Sequence, residues 1–294
     1  MRVALILTGK LEMLGLKTAL ERLFGREHDF VPLSRVRDEP TTPFHSFTSA
    51  RQPVASNAEA DSPLGRLVGA MIDAASSHEF DLSLVLDDLE LCNSGNEAVV
   101  TAEFRAGIVR QLRRVAAQDA GAARALQDRL RTRASFHLVV PMIESWLFAD
   151  PAGPRNAGVP EQRLPPPSLA GGDPEAFEVG DPSYMSDDGA HCTAWHALPQ
   201  RYRQRRCPDW LGAVHPRERH PKRYLSWLCR SPAERYCSTY KEHTAAAALA
   251  NISWAEALSS PDRMLFMRAF LWDLADGLGC PPTGISLAGM QAAA

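Results

Sequence analysis

Two short apolar runs, each closed by a polar turn, constrain this chain more than anything else in it. Arg2-Val3-Ala4-Leu5-Ile6-Leu7-Thr8 stops at Gly9, and Asp81-Leu82-Ser83-Leu84-Val85-Leu86 stops at Asp87. Neither run alternates apolar and polar residues. A strand without alternation is buried on both faces, and such strands belong to parallel sheets covered by helices on each side. Between the first run and a shorter one at His28–Leu33, Leu11, Leu14, Leu16, Leu20, Leu23 and Phe24 keep roughly helical spacing, and Gly25 follows as a stop. The chain therefore opens as strand, helix, strand.

The same reading carries on to Asp150. Residues 38–62 are rich in Pro, Thr, Ser and Ala without a period and read as a long loop. Helices are expected over 64–75, 98–118 and on to about Arg131, a strand over 136–141 and a further helix over 143–150. After Asp150 the character changes. Residues 151–190 are dense in Pro, Gly, Asp and Glu, 191–243 are basic and rich in His and Cys, and helical patterns return over 244–258 and 261–278. Ser260 as N-cap and Pro261 at the first helical position mark the start of the last helix. The expected fold is an α/β core, mainly parallel with flanking helices, over 1–150. A helical, loop-rich region, 151–294, packs on it.

Composition sets the boundaries of function. Apolar residues make up 45% of 294, enough for a sizeable core, and the net charge of -3 argues against a protein that coats nucleic acid with its whole surface. No apolar run reaches the ~18 residues that a membrane span needs, so no membrane partner is expected. The six cysteines form no C-x-x-C pair. Reduced thiols in a cytoplasmic protein fit that pattern better than a disulfide framework.

Open parallel sheets bind their ligands at the carboxyl ends of the strands. Two acidic turns converge on that edge: Thr8-Gly9-Lys10-Leu11-Glu12 and Asp87-Asp88-Leu89-Glu90. Clustered carboxylates repel one another unless a cation neutralises them. Mg²⁺ or Mn²⁺, held by a few carboxylates and several waters, supports phosphoryl transfer. Acids after a strand are also ordinary helix caps and turn residues.

Read in order, these residues resemble a TOPRIM domain, and more narrowly the TOPRIM-like bacterial family called domain of unknown function 4276. Leu7-Thr8-Gly9-Lys10-Leu11-Glu12 lies where that family has Val-Glu-Gly-Pro-Thr-Glu, and Leu86-Asp87-Asp88 lies at its strand-end Asp. Glu144-Ser145-Trp146-Leu147-Phe148-Ala149-Asp150 is similar to its Glu-Ala-Leu-Leu-x-Ala-Asp helix. Pro221-Lys222-Arg223 and Tyr240-Lys241 are like its Pro-Ser-Lys-Arg and Tyr-Lys elements. The resemblance implies a Mg²⁺- or Mn²⁺-dependent nuclease or phosphotransfer component of a bacterial defence system, working beside an AAA/ABC-type ATPase. Asp87 and Asp88 would hold the metal with Glu12 or Glu90 assisting, and Glu144 would complete the cluster. One departure stands out: the family's first Glu is Thr8 here, and a threonine is a poor general acid or base. The alternative is a catalytically impaired scaffold or sensor that binds the ATPase.

Residues 201–223 hold Arg201, Arg203, Arg205, Arg206, Arg217, Arg219, Lys222 and Arg223 against Asp209 and Glu218, with Tyr202 and Trp210 interleaved. Cations on phosphates and aromatics on unpaired bases make this the expected nucleic-acid surface, carried by Arg201, Arg203, Arg205, Arg206, Lys222 and Arg223. A solvated face or an acidic protein partner would give the same pattern. His191, Cys192, His196, Cys207, His215, His220, Cys229, Cys237 and His243 crowd the same region. Cys192-x-x-x-His196 is one reasonable zinc pair, and a second pair is not evident. Trp146, Leu147 and Phe148 read as core.

Overall fold

The computed structural model describes residues 1–36, 38–165, 172–189, 216–230 and 240–285. Arg201, Arg203, Arg205 and Arg206, and the zinc candidates other than His220, Cys229 and His243, lie outside the described residues.

The expected β-α-β opening is present, with β1 (Arg2–Leu7), α1 (Lys10–Phe24) and β2 (Asp29–Leu33). Next come α2 (Pro63–Ser76), β3 (Leu82–Asp88), α3 (Glu97–Ala116), α4 (Ala120–Arg133), β4 (Ala134–Val139) and α5 (Glu144–Ala149). The four strands form one sheet in the order β2-β1-β3-β4, and every neighbouring pair is parallel. Val3 pairs with Leu82 and Leu7 with Leu86, so β1 and β3 end almost level. The chain leaves β1 toward β2 on one side and reaches β3 on the other. Their shared carboxyl edge is therefore the topological switch point, where open α/β sheets form a crevice.

Burial on both faces explains the lack of alternation. Val3, Leu5 and Leu7 of β1 enter one core with Leu84 and Leu86, while Ile6 and Val85 enter another. α1, α5 and the C-terminal helices Pro221–Leu228, Glu242–Ala250 and Leu265–Leu278 cover the first face. α2, α3, α4, Phe44 and Phe47 cover the second. Trp146, Leu147 and Phe148 are core residues as expected, with Trp146 packed edge-on to Trp254 at 6.2 Å. Among the described residues no helix is long and apolar enough to cross a membrane.

Two C-terminal expectations need correction. The 244–258 pattern is split into Glu242–Ala250 and Trp254–Ala257, because the backbone N–H of Ser253 turns to donate to Asp150 Oδ2 at 2.8 Å. The last helix begins at Leu265, not at Pro261. Its cap comes from far away in sequence. Asp173 Oδ1 accepts from Met264 N–H at 3.1 Å, and the Glu175 carboxylate accepts from Phe266 and Met267 N–H at 2.9 Å each.

Candidate functional site

Glu12 stands in the first turn of α1, where the helix dipole favours an acid. Its side chain folds back over Gly9, so closely that any Cβ at position 9 would collide with the carboxylate. Gly9 is extended, at φ -107°, and its missing side chain rather than its backbone freedom makes the space. Glu12 is fully buried, and neither carboxylate oxygen has a hydrogen-bond partner. Burial pushes its carboxyl up to about 8, against the pull of its own backbone N–H, which is near the carboxylate but outside hydrogen-bond geometry; Glu144 and Asp87 add to the rise, and Lys222 opposes it.

Across the crevice, β3 delivers Asp88. Its Oδ1 accepts from Ile143 N–H at 3.0 Å, which ties the end of β3 to the start of α5. Burial raises its carboxyl well above the usual range, with the charges of Glu12, Glu144 and Glu90 adding to it. Glu90 sits at φ 59°, a region that favours glycine, while its N–H donates to Pro141 O at 3.0 Å. A non-glycine residue held there marks backbone strain of the kind found at functional sites. Glu144, buried at the start of α5, accepts from the Tyr240 hydroxyl at 3.1 Å and lies 3.5 Å from Lys222 Nζ. Lys222 also donates to Glu242 Oε1 at 3.1 Å. The Glu144 carboxylate holds the Lys222 ammonium above its ordinary value, with Glu242 and Asp88 contributing.

These groups enclose a cavity of about 260 Å³ at the switch point. Glu12, Asp88, Glu90, Glu144 and Glu242 line it, with Lys222, Lys10 and His220. Among the described residues no group of three or more His, Cys, Asp or Glu side chains is arranged to hold a metal ion. The cavity nonetheless offers the donor type that a hydrated divalent cation takes. The cavity has room for an ion that keeps several waters, the acids are hard oxygen donors, and the Glu12 oxygens are without partners.

The structure separates residues that the sequence puts side by side. Successive side chains of a strand point to opposite faces. Asp88 faces the acidic cavity, while Asp87 faces Thr8, Ser46 and Phe47 on the other side of the sheet and does not line it. Asp87 is fully buried, and none of those neighbours reaches its oxygens in hydrogen-bond geometry. Burial pushes its carboxyl up to about 7. Thr8 instead donates to Leu86 O at 3.4 Å.

Of the basic candidates, Lys222 lies inside the acidic cavity and Arg223 does not line it. Cys229 is buried, with its thiol pushed up to about 12 by burial, which suits a core residue and not a metal ligand. Sequence reasoning missed Glu242 and His220 as cavity residues. Glu242 opens the Glu242–Ala250 helix and His220 immediately precedes the Pro221–Leu228 helix, both remote in sequence from the two acidic turns and with no local motif to announce them. A Ser135, His137 and Asp273 set has the composition of a hydrolytic triad but not its wiring. Ser135 Oγ, at 2.8 Å, and Asp273 Oδ2, at 3.4 Å, both meet the same Nε2 of His137.

Comparison of the chain with family models, curated proteins and solved structures returned no match, so the functional reading rests on geometry and chemistry.

Proposed function

We propose that the chain is a TOPRIM-like phosphoryl-transfer component acting on nucleic acid, with Mg²⁺ or Mn²⁺ held in the acidic cavity by Asp88, Glu12 and Glu144. The observation that carries this reading is the convergence of five carboxylates on one cavity at the β1/β3 switch point, two of whose oxygens, on Glu12, have no partner. A bound divalent cation would supply charge neutralisation and activation of an attacking water. Ile143 N–H fixes Asp88, Tyr240 and Lys222 fix Glu144, and the overhang at Gly9 fixes Glu12. Asp87 lies behind the cavity, a buried carboxyl beside Thr8, and does not line it. By resemblance, the proposal extends to a cytoplasmic subunit of a bacterial defence system that works with an AAA/ABC-type ATPase.

A second reading has its own support. Lys222 already pairs with Glu144 and Glu242, and Thr8 stands where the family has an acid. A lysine that neutralises the cavity makes a non-catalytic scaffold, which binds the ATPase without chemistry.

The deciding experiment is a cleavage assay on single- and double-stranded DNA and RNA with Mg²⁺ or Mn²⁺, alongside Asp88→Asn, Glu144→Gln and Asp87→Asn. The enzyme reading expects metal-dependent cleavage that falls about 100-fold or more in Asp88→Asn and Glu144→Gln, and less in Asp87→Asn. Folded protein that neither cleaves nor takes up Mn²⁺ in a calorimetric titration supports the scaffold.

A further inference from the structure

A second concave site lies away from the acidic cavity and has the opposite charge. It is a groove of about 560 Å³ between α2, α3 and the segment that precedes α2. Arg35, Arg66, Arg110 and Arg114 line it, against two acids, Glu59 and Asp73. Arg110 donates to Asn57 O at 3.2 Å and Arg35 to Pro43 O at 3.3 Å, so two of the guanidinium groups are steered by neutral carbonyls. Among the described residues Arg35, Arg66 and Arg110 make no ion pair. Arg110 and Arg114 are one helical turn apart on α3, which brings their cations to the same side of the groove, and Arg114 also donates to Gln111 Oε1 at 3.2 Å.

The helices leave this groove open. Gly69 sits in the interior of α2, where glycine weakens a helix, and a Cβ there would meet nothing within 4 Å. No packing contact requires a glycine at that position, and its absent side chain widens the groove. Gly107, on α3, is different: its Cβ would press on Val68 at 3.1 Å, so it lets the two helices approach.

We propose that this groove binds the phosphates of a small polyphosphate ligand, a nucleoside di- or triphosphate. Guanidinium forks match phosphate oxygens in pairs, and the volume suits a single nucleotide. The proposal goes beyond the acidic cavity and does not depend on it.

The test is displacement of N-methylanthraniloyl-ATP from the full chain by ATP and by pyrophosphate, followed by fluorescence in EDTA. EDTA keeps metal-bridged binding at the acidic cavity out of the signal. Variants are Arg66→Glu, which touches no ion pair; Gly69→Leu, which fills the groove while favouring the helix; and Asp88→Asn. Saturable binding that drops about tenfold or more in Arg66→Glu and Gly69→Leu, with Asp88→Asn unchanged, is the expected result. No saturable binding, or binding that both groove variants leave intact, overturns the proposal. So does a groove that takes fluorescein-labelled oligothymidylate but not ATP, because it would then be a path for a strand. Cleavage activity is read separately with Asp88→Asn, so failure here leaves the nuclease reading standing, and the reverse also holds.

Discussion

Buried carboxylates without partners are unstable neighbours, and the pH response of this protein follows from that. Burial raises Glu12 from 4.5 to about 8 and Asp87 from 3.8 to about 7. The folded chain therefore holds protons that the unfolded chain has already lost. Each group contributes most to stability below its unfolded value, and that contribution disappears as pH rises through the folded value. In metal-free protein, stability should fall from pH 3.8, where Asp87 begins to contribute to the fall, to about 8, where Glu12 ceases to. His137 works in the opposite direction. Burial lowers it from 6.5 to about 4, so its contribution is complete above 6.5 and is lost as pH falls toward 4. Glu12→Gln separates the two. Thermal melts in EDTA should show the variant close to wild type near pH 4.5 and more stable at pH 8, with a flatter profile between. Parallel wild-type and variant profiles would mean that Glu12 is ionised at neutral pH and has a partner in solution. At this scale the sequence was partly legible. Glu12, Asp88, Glu90 and Glu144 could be named from strand ends and helix starts. Asp87 and Asp88, adjacent in sequence, stand on opposite faces of the sheet, as the two-residue period of a strand requires, and only Asp88 lines the cavity.

Elements were legible where local physics decides them and illegible where a distant segment does. β1 and β3 declared themselves because strands buried on both faces are apolar almost throughout, β4 by the short apolar run that ends it, and α1 because its apolar face repeats at helical spacing. The last helix did not. Ser260 and Pro261 form a sound local start signal, yet the helix opens at Leu265 under caps from Asp173 and Glu175. Arg268 holds the preceding turn by donating to the carbonyls of Leu258, Ser260 and Arg263. A local cap removes one or two orphan donors, and here a side chain some ninety residues away does so instead. Glu175→Ala would leave the N–H groups of Phe266 and Met267 without acceptors. We expect a loss of about 1–2 kcal/mol, the usual range for a lost helix cap, with Glu175→Gln losing less because it keeps one acceptor. Hydrogen exchange localises the effect: amides 266 and 267 should exchange faster in Glu175→Ala than in wild type. Unchanged exchange there would assign the capping to other groups.

For the whole molecule, the boundary at Asp150 marks a change of composition and not a break in the core. One apolar core takes Val3, Leu5, Leu7, Leu84 and Leu86 from the sheet together with Tyr224, Leu249, Phe270 and Leu271 from beyond the boundary. α1 crosses the Glu242–Ala250 helix so closely that a Cβ on Gly15 would stand 2.5 Å from Ala246 O. The acidic cavity is assembled across the same boundary, with Glu12, Asp88 and Glu144 on one side and Lys222 and Glu242 on the other. Among the described residues the sheet comes wholly from residues 1–150, but one of its two covering layers does not. Local patterns do not report such sharing, because each half carries its own regular periodicity. A fragment ending at Asp150 would expose one face of the sheet and the apolar side of α1. Apolar surface buried in the native chain contributes about 25 cal/mol per Å², and a fragment without that burial cannot offset the entropy of ordering its backbone. The expected fragment retains helical far-ultraviolet dichroism, loses near-ultraviolet tertiary signal and aggregates on size exclusion, whereas the full chain melts in one transition. A monomeric 1–150 fragment with a sharp cooperative melt would instead make the first half an autonomous domain. The acidic cavity would then be an interface site, closed only when the second half docks.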